Sequence, residues 1–266
     1  MNALLSNEPF DLVAFAPHPD DAELFCGGLL AKMSARKHRI AIVDLTRGER
    51  ASRGTPEQRA REAEAAARVL GVAHRENLSL ADAALINDAP SVALVVDALR
   101  RLRPQMVLAP FQRERHPDHE AASALVTRGV FLAGMSRFGE DEGQAPQLAP
   151  HAVATVLYYP MRHLAEPSFI VDVTDTMDAK RSAIACHASQ VVPTSDGPQT
   201  LVSSPLAASA LEARDAFYGA QIGAAFGEPY VVHAALGLVD PIEHFRNNHF
   251  RNDAFARPLF FPSKAQ

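Results

Sequence analysis

Two short His/Asp clusters are the parts of this sequence best suited to chemistry. They are His18-Pro19-Asp20-Asp21 and His116-Pro117-Asp118-His119, and each follows an apolar run that predicts a buried strand. His18, Asp21 and His119 would supply two imidazole nitrogens and one carboxylate, which leaves a position open for water. Three protein ligands with an open position are typical of a catalytic zinc site, so the sequence predicts one here.

A simpler interpretation exists for each cluster taken alone. An Asp that follows a strand often caps the next helix, and that role explains either cluster equally well. Both clusters, however, follow predicted parallel strands, and open α/β sheets bind ligands at the carboxyl ends of their strands. The two clusters together therefore favour a shared metal site.

The remaining side chains of the clusters are candidates for acid–base catalysis. A metal lowers the pKa of bound water, and Asp20 could take the proton of that water as it attacks a carbonyl. His116 could stabilise the oxyanion that forms, and Asp118 could hold the imidazole of His116 protonated and correctly oriented. The alternative that His116 and His119 are both metal ligands stays open.

The elements around the clusters predict the fold class. Strands alternate with helices along the chain, and this order implies an α/β fold with a Rossmann-like, mainly parallel sheet and helices on both faces, as a three-layer sandwich. We expect one domain over residues 1–266. The predicted strands are residues 11–16, 39–45, 76–80, 105–110, 154–159, 168–173 and 229–233, and the predicted helices are residues 22–37, 55–70, 89–102, 120–135, 174–187 and 206–217.

Composition excludes several classes of protein. The net charge of −5 and the absence of any Lys/Arg run argue against nucleic acid as a partner. No apolar stretch approaches the length of a bilayer span, so we expect no membrane partner and a cytoplasmic location. The loop after the first strand carries Asp20 and Asp21 where a dinucleotide site would have glycines, which argues against NAD.

Two segments have no clear chemical role. Residues 192–205 form a long Pro/Ser/Thr-bearing loop, for which a lid and a plain surface insertion are equally good interpretations. The tail contains a short echo, His-Phe-Arg-Asn at residues 244–247 and 249–252, which we expect to pack on the body or on another subunit. A homo-oligomer is accordingly expected.

With this strand order, the paired clusters resemble the PIG-L/LmbE superfamily of zinc-dependent N-acetylglucosamine deacetylases. The resemblance implies that His18, Asp21 and His119 bind zinc, that Asp20 is the general base, and that His116 is an oxyanion stabiliser oriented by Asp118. It implies an amino-sugar substrate and release of acetate.

Further segments are similar to the bacillithiol branch, the N-acetylglucosaminyl-malate deacetylases. In that branch Arg53 matches a substrate-contacting arginine, and Arg115 precedes the second cluster. The region from Glu228 to Asp240 departs from the branch pattern, which leaves the substrate open. The similar segments are residues 44–49, 53–55, 59–71, 180–190 and 227–229.

Two rival functions remain. Two His and one carboxylate also suit non-haem iron and oxygen chemistry. Asp20 and the pair of His116 and Asp118 are hydrolytic groups that an oxygenase does not require. The second rival is a sugar-binding module whose metal only orders loops.

Overall fold

A five-stranded parallel sheet forms the centre of the protein, in the order β3-β2-β1-β4-β5. The computed structural model describes residues 8–139, 148–193, 198–235, 237 and 239–240. The sheet strands are β1 (Leu12–Ala16), β2 (Ile40–Thr46), β3 (His74–Leu80), β4 (Met106–Pro110) and β5 (Thr155–Tyr159). The predicted α/β class with a mainly parallel sheet is confirmed.

Helices cover both faces of the sheet, as the strand–helix alternation predicted. They are α1 (Asp21–Ala35), α2 (Pro56–Leu70), α3 (Ala89–Leu102), α4 (Pro117–Ala133), α5 (Met177–Cys186), α6 (Ala188–Val191) and α7 (Pro205–Gln221). Side chains of β1 alternate between the layers, because successive residues of a strand point to opposite faces. Val13 and Phe15 pack in the core beneath α3 and α4, whereas Leu12 and Ala14 pack in the core beneath α1 and α2.

The last two strands lie outside the parallel sheet. Strands β6 (Phe169–Asp172) and β7 (Gly227–Tyr230) pair antiparallel as a separate two-stranded sheet. A single antiparallel bridge between Tyr158 and Val231 connects the end of this pair to the edge strand β5. The pattern of apolar residues predicts where a strand lies but not which strand it pairs with. The sequence therefore did not distinguish this two-stranded sheet from further strands of the parallel sheet.

Helix α4 begins three residues earlier than the sequence predicted. Pro117 occupies its first position, where a fixed φ and a missing N–H are tolerated. His116 is the N-cap residue, and its ring nitrogen accepts a hydrogen bond from the backbone N–H of Asp118. The second cluster therefore forms the first turn of a helix rather than the loop before it.

Three segments with predicted roles are partly or wholly outside the described residues. The tail echo at residues 244–252 lies wholly outside, so its expected packing is not described. The loops over residues 139–150 and 192–205 are described only in part. Among the described residues, no helix is both long and apolar enough to cross a membrane.

A fully buried ion cluster anchors helix α1 from the far end of the chain. Lys180 Nζ donates to Asp215 Oδ2 at 2.6 Å and to Glu228 Oε1 at 2.7 Å. The carboxylate of Glu228 also accepts the backbone N–H groups of Gly28 and Leu29, both at 2.8 Å. A Cβ at Gly28 would lie only 2.9 Å from Glu228 Oε1. Residue 28 must be glycine for this carboxylate to reach the helix.

Glu228→Gln is expected to lower the free energy of unfolding by about 3 kcal/mol, because removing one partner leaves buried charge and buried donors uncompensated. Urea denaturation measures the change. Glu212→Gln is the matched control, since Glu212 pairs with Arg181 at the surface, where ion pairs contribute little. Equal, small losses for the two variants would contradict a structural role for this cluster.

Candidate active site

The two His/Asp clusters meet at the topological switch point of the sheet. Strand β1 pairs with β2 on one side and with β4 on the other. The first cluster follows the carboxyl end of β1, and the second follows the carboxyl end of β4. Because this crevice is where open α/β sheets bind ligands, the fold brings the two clusters into one site.

The three predicted metal ligands lie in contact with one another. Asp21 Oδ2 is 3.0 Å from His18 Nδ1 and 3.4 Å from His119 Nε2. Ligand atoms bound about 2.0–2.1 Å from one tetrahedral ion are themselves about 3.3 Å apart, so these distances suit such an ion. One ligand atom from each of the three residues fits within 4.8 Å of the others. The donor set and its spacing therefore fit a divalent metal.

His116 belongs to a second candidate set with His18 and Asp118. The rings of His116 and His119 are stacked, with centroids 4.9 Å apart. Neither candidate set among the described residues contains both His116 and His119, and the alternative that both are ligands stays a prediction.

Carboxylates surround the other nitrogen of His18. Its Nε2 lies 3.2 Å from Asp82 Oδ1 and 3.3 Å from Asp118 Oδ2. Burial disfavours the charged ring, but hydrogen bonds to Asp118, Asp21 and Asp82 outweigh it and raise the pKa of His18 well above its usual value. A metal-ligating histidine characteristically gives its second nitrogen to a carboxylate, and His18 has this arrangement.

The position of Asp118 differs from the sequence prediction. Its carboxylate accepts the backbone N–H groups of Ala83 at 2.7 Å and Leu85 at 3.2 Å, in addition to its contact with His18. Its hydrogen bond with His116 runs through the backbone N–H of Asp118 instead of the carboxylate. The carboxylate of Asp118 thus lies against His18, a predicted metal ligand, and the predicted contact of this carboxylate with His116 is replaced by one through the backbone.

The contact between Asp118 and His116 also sets the proton position on His116. Its Nδ1 accepts a hydrogen bond, so the neutral ring carries its proton on Nε2. Burial and the neighbouring rings of His18 and His119 lower the pKa of His116 below its usual value. With Nδ1 accepting this hydrogen bond, the ring of His116 can donate only through Nε2, whereas the sequence analysis predicted the protonated ring.

Asp20 is held beside the predicted metal ligands by a buried arginine. Arg59 Nη2 donates to Asp20 Oδ1 at 3.2 Å and also contacts the carbonyl of Pro19. Gly48 has a φ of +64°, and a Cβ there would lie 1.7 Å from Arg59 Nη1. Gly48 therefore makes room for the arginine that fixes the direction of the Asp20 carboxylate.

The sequence analysis missed Asp82 and Arg59 as site residues. Both line the cavity that contains His18, Asp21 and His119, which measures about 360 Å³. We call it the metal cavity after these predicted ligands. Asp82 follows β3, and its carboxylate accepts the backbone N–H of Arg50 at 2.7 Å. An Asp just past a third parallel strand is a signal that could have found Asp82. No comparable signal marks Arg59, which lies within a helix rich in charged residues.

Of the two predicted substrate-binding arginines, one lines the metal cavity and the other does not. Arg115 lines the metal cavity together with Arg162, which the sequence analysis did not select. Arg53 is not among the lining residues, and its Nη2 donates to the carbonyl of Val192 at 2.6 Å. Gln190 Nε2 donates to the carbonyl of Arg53 at 2.8 Å. Arg53 thus joins its loop to residues 190–192 at the edge of the site.

Asp118→Asn is expected to weaken metal binding by about 10- to 100-fold, the usual loss when the partner of a ligating histidine is changed. Competition with a metal-binding dye measures the affinity. Asp88→Asn is the control, because Asp88 caps helix α3, where its carboxylate accepts the backbone N–H of Ser91. Unchanged metal affinity together with a lower turnover would instead support the predicted partnership of Asp118 with His116.

Comparisons with known proteins identify the family. The family model for PIG-L, described as GlcNAc-PI de-N-acetylase, matches residues 13–130. The diacetylchitobiose deacetylase of Thermococcus kodakarensis is 30% identical over 201 residues, which cover 69% of this chain and 73% of the relative. The chain belongs to the PIG-L family, and its relatives include deacetylases, hydrolases that act on an N-acetyl amide.

Other relatives show the range of the family. A 1D-myo-inositol 2-acetamido-2-deoxy-alpha-D-glucopyranoside deacetylase of Catenulispora acidiphila is 25% identical, covering 70% of this chain and 81% of the relative. The crystal structure of the conserved protein TT1542 from Thermus thermophilus is 37% identical, with a TM-score of 0.77 over 87% of this chain and 98% of that one. A 4-oxalmesaconate hydratase of Pseudomonas putida is 26% identical, covering 65% of this chain and 71% of the relative.

Proposed function

We propose that this protein removes the acetyl group from an N-acetylglucosamine derivative and releases acetate and the free amine. One observation carries the proposal: the His18, Asp21 and His119 ligand set lies in the same cavity as an unligated carboxylate, Asp20, and a neutral donor, His116. These are the parts that hydrolysis of an amide requires. The family match and the diacetylchitobiose deacetylase support an N-acetyl sugar as the substrate.

Zinc is the metal we propose, held by His18, Asp21 and His119, since two imidazoles and a carboxylate are a donor set that zinc prefers. When bound, the metal polarises the substrate carbonyl and makes water acidic enough to attack it near neutral pH. Iron in the same site remains the alternative. The substrate, metal and water together would occupy the cavity of about 360 Å³.

Asp20 acts as the general base in this proposal. Its carboxylate takes a proton from the attacking water and later gives it to the leaving nitrogen, so the amine departs neutral. The hydrogen bond from Arg59 holds one carboxylate oxygen in place, which keeps Asp20 from turning towards the metal ligands. Asp82 and Asp118 keep the ring of His18 in its ligating orientation.

His116 stabilises the oxyanion in this proposal through the proton on Nε2. His116→Ala is expected to lower turnover by about 10²- to 10³-fold, because the lost donor acts on charge that develops only in the transition state. Metal content and the KM for substrate should change little. Parallel metal analysis and steady-state acetate release measure these quantities. A metal-deficient His116→Ala protein would make His116 a ligand instead.

We further propose that the substrate carries an anionic group, with N-acetylglucosaminyl-malate of bacillithiol biosynthesis as the candidate. Support comes from Arg115 and Arg162, which line the metal cavity. Partial burial and the charge of Arg115 lower the pKa of Arg162, although Asp21, Glu114 and Asp20 act in the opposite direction. A carboxylate of the substrate would pair with these two cations.

Acetate release from N-acetylglucosaminyl-malate, diacetylchitobiose and N-acetylglucosamine tests both the deacetylase function and the assignment of malate. Loss of a charge-assisted hydrogen bond costs about 1.5–3 kcal/mol, so Arg115→Ala and Arg162→Ala should each reduce kcat/KM for the malate conjugate about ten- to a hundredfold. Arg53→Ala should have a smaller effect, because Arg53 bonds to Val192 outside the cavity. Release from all three substrates without preference would refute the malate assignment alone. No release from any of them would refute the deacetylase proposal.

Hydration of a carbon–carbon double bond is the second candidate, favoured only by the similarity to 4-oxalmesaconate hydratase. Asp20 and the metal ligands could also activate water for that reaction. Incubation with 4-oxalmesaconate separates the candidates, since hydration consumes the double bond and its ultraviolet absorption but releases no acetate.

A further inference from the structure

A second cavity opens beside the metal cavity, between helices α1, α5 and α7. It measures about 630 Å³, which is larger than the metal cavity and within the range of small-molecule sites. Its walls are mainly aliphatic and aromatic. They include Met161, Leu164, Met177, Ile184, Leu211 and Phe217.

The two cavities share part of their walls. Leu24, Phe25, Arg162 and Val202 line both of them. Leu24 and Phe25 follow the predicted metal ligand Asp21 by three and four residues on helix α1. The two cavities are therefore neighbours, and the apolar cavity lies next to a ligand whose amide is at the predicted metal site.

The buried arginine in the wall does not make this cavity polar. Arg214 donates to Asp215 Oδ1 and to the carbonyl of Pro160, both at 2.6 Å. Its guanidinium also lies over the rings of Phe25 and Tyr218, at 5.5 and 5.8 Å from their centroids. The charge of Arg214 is thus balanced within the wall, and two further charged lining residues, Arg181 and Glu212, pair with each other at the surface.

We propose that this cavity binds an apolar aglycone, an alkyl or aryl group carried by the N-acetylglucosamine derivative. The inference rests on the proposed deacetylase function and specifies its substrate class. An apolar aglycone is an alternative to malate on the same sugar, and its hydrocarbon would continue past Arg162, which lines both cavities. The wall that the apolar cavity shares with the metal cavity is what favours a substrate group over a second protein chain as the occupant.

A series of alkyl N-acetylglucosaminides tests the proposal. Methyl, butyl, hexyl and octyl glycosides, each below its critical micelle concentration, are assayed for acetate release. We expect kcat/KM to rise about two- to fourfold per added methylene until the cavity is filled, as burial of each methylene requires. The methyl glycoside reports the basal activity.

Two tryptophan variants on helix α7 locate the effect. Ala208 is exposed at the surface and lines the cavity, so Ala208→Trp should fill the space without disturbing the core. We expect this variant to lose the dependence on chain length and to keep the wild-type rate with the methyl glycoside. Ser209 is exposed and does not line the cavity, so Ser209→Trp should behave as wild type.

Acetate release that is independent of chain length in the wild type would overturn the apolar subsite and leave the deacetylase proposal intact. A chain-length effect that persists in Ala208→Trp would also overturn it, because another surface would then bind the alkyl group. A flat series, combined with an Ala208→Trp variant of altered oligomeric state by sedimentation, would assign the cavity to a second copy of the chain. No release from any glycoside would refute the function itself.

Discussion

Asp20→Asn is expected to lower kcat for acetate release by about 10²- to 10⁴-fold, the usual contribution of a general base. The amide of asparagine cannot take the proton of the attacking water, although it can still accept the hydrogen bond that Arg59 donates. Metal content should remain at the wild-type level, because Asp20 belongs to neither candidate ligand set among the described residues. Stopped assays for acetate, with metal analysis of the same samples, measure both quantities.

Asp178→Asn is the matched control for this variant, since Asp178 is an exposed carboxylate of helix α5 that pairs with Arg181 at the surface. It should leave both activity and metal content unchanged. An Asp20→Asn protein that arrives without metal, beside an Asp21→Asn protein that retains it, would reverse the assignment of the two neighbouring carboxylates.

His119→Ala is expected to abolish stable metal binding and with it acetate release. One of three ligands is removed, and the remaining two, His18 and Asp21, cannot hold an ion in a tetrahedral site. Metal content should fall from about one ion per chain to near zero. The fold should survive, because the ring of His119 sits at the cavity wall.

His38→Ala is the control for the metal experiment. His38 is half exposed at the end of β1 opposite the site, where it pairs with Asp11. Thermal denaturation of both variants verifies folding. A His119→Ala protein that retains a full complement of metal would remove His119 from the ligand set and favour the alternative set with His116 and Asp118.

The fold was predictable because the strand and helix signals are local. The continuous apolar run of β1 and the cap-and-stop residues Thr55, Pro56 and Gly71 act within a few positions of the chain. The two His/Asp clusters were predictable for the same reason, since each is contiguous and follows a strand. Their meeting in space followed from the rule that places ligands at the ends of parallel strands.

The partners of the site residues were not predictable, because they depend on long-range packing. The carboxylate of Asp118 turns to His18 because the loop after β3 presents the N–H groups of Ala83 and Leu85 to it. Arg53 is not among the residues that line the cavity, and it donates instead to the carbonyl of Val192, 139 residues later. Neither contact is indicated by the residues that are adjacent in the sequence.

Acetate release by the wild-type protein, before and after removal of its metal, tests the central claim most directly. An N-acetylglucosamine derivative is incubated with protein as isolated, with protein stripped by a chelator and dialysed, and with stripped protein to which zinc is restored. We predict release in the first sample, none above background in the second, and recovery in the third in proportion to bound zinc. Undiminished acetate release by the stripped protein would contradict a hydrolytic metal site at His18, Asp21 and His119.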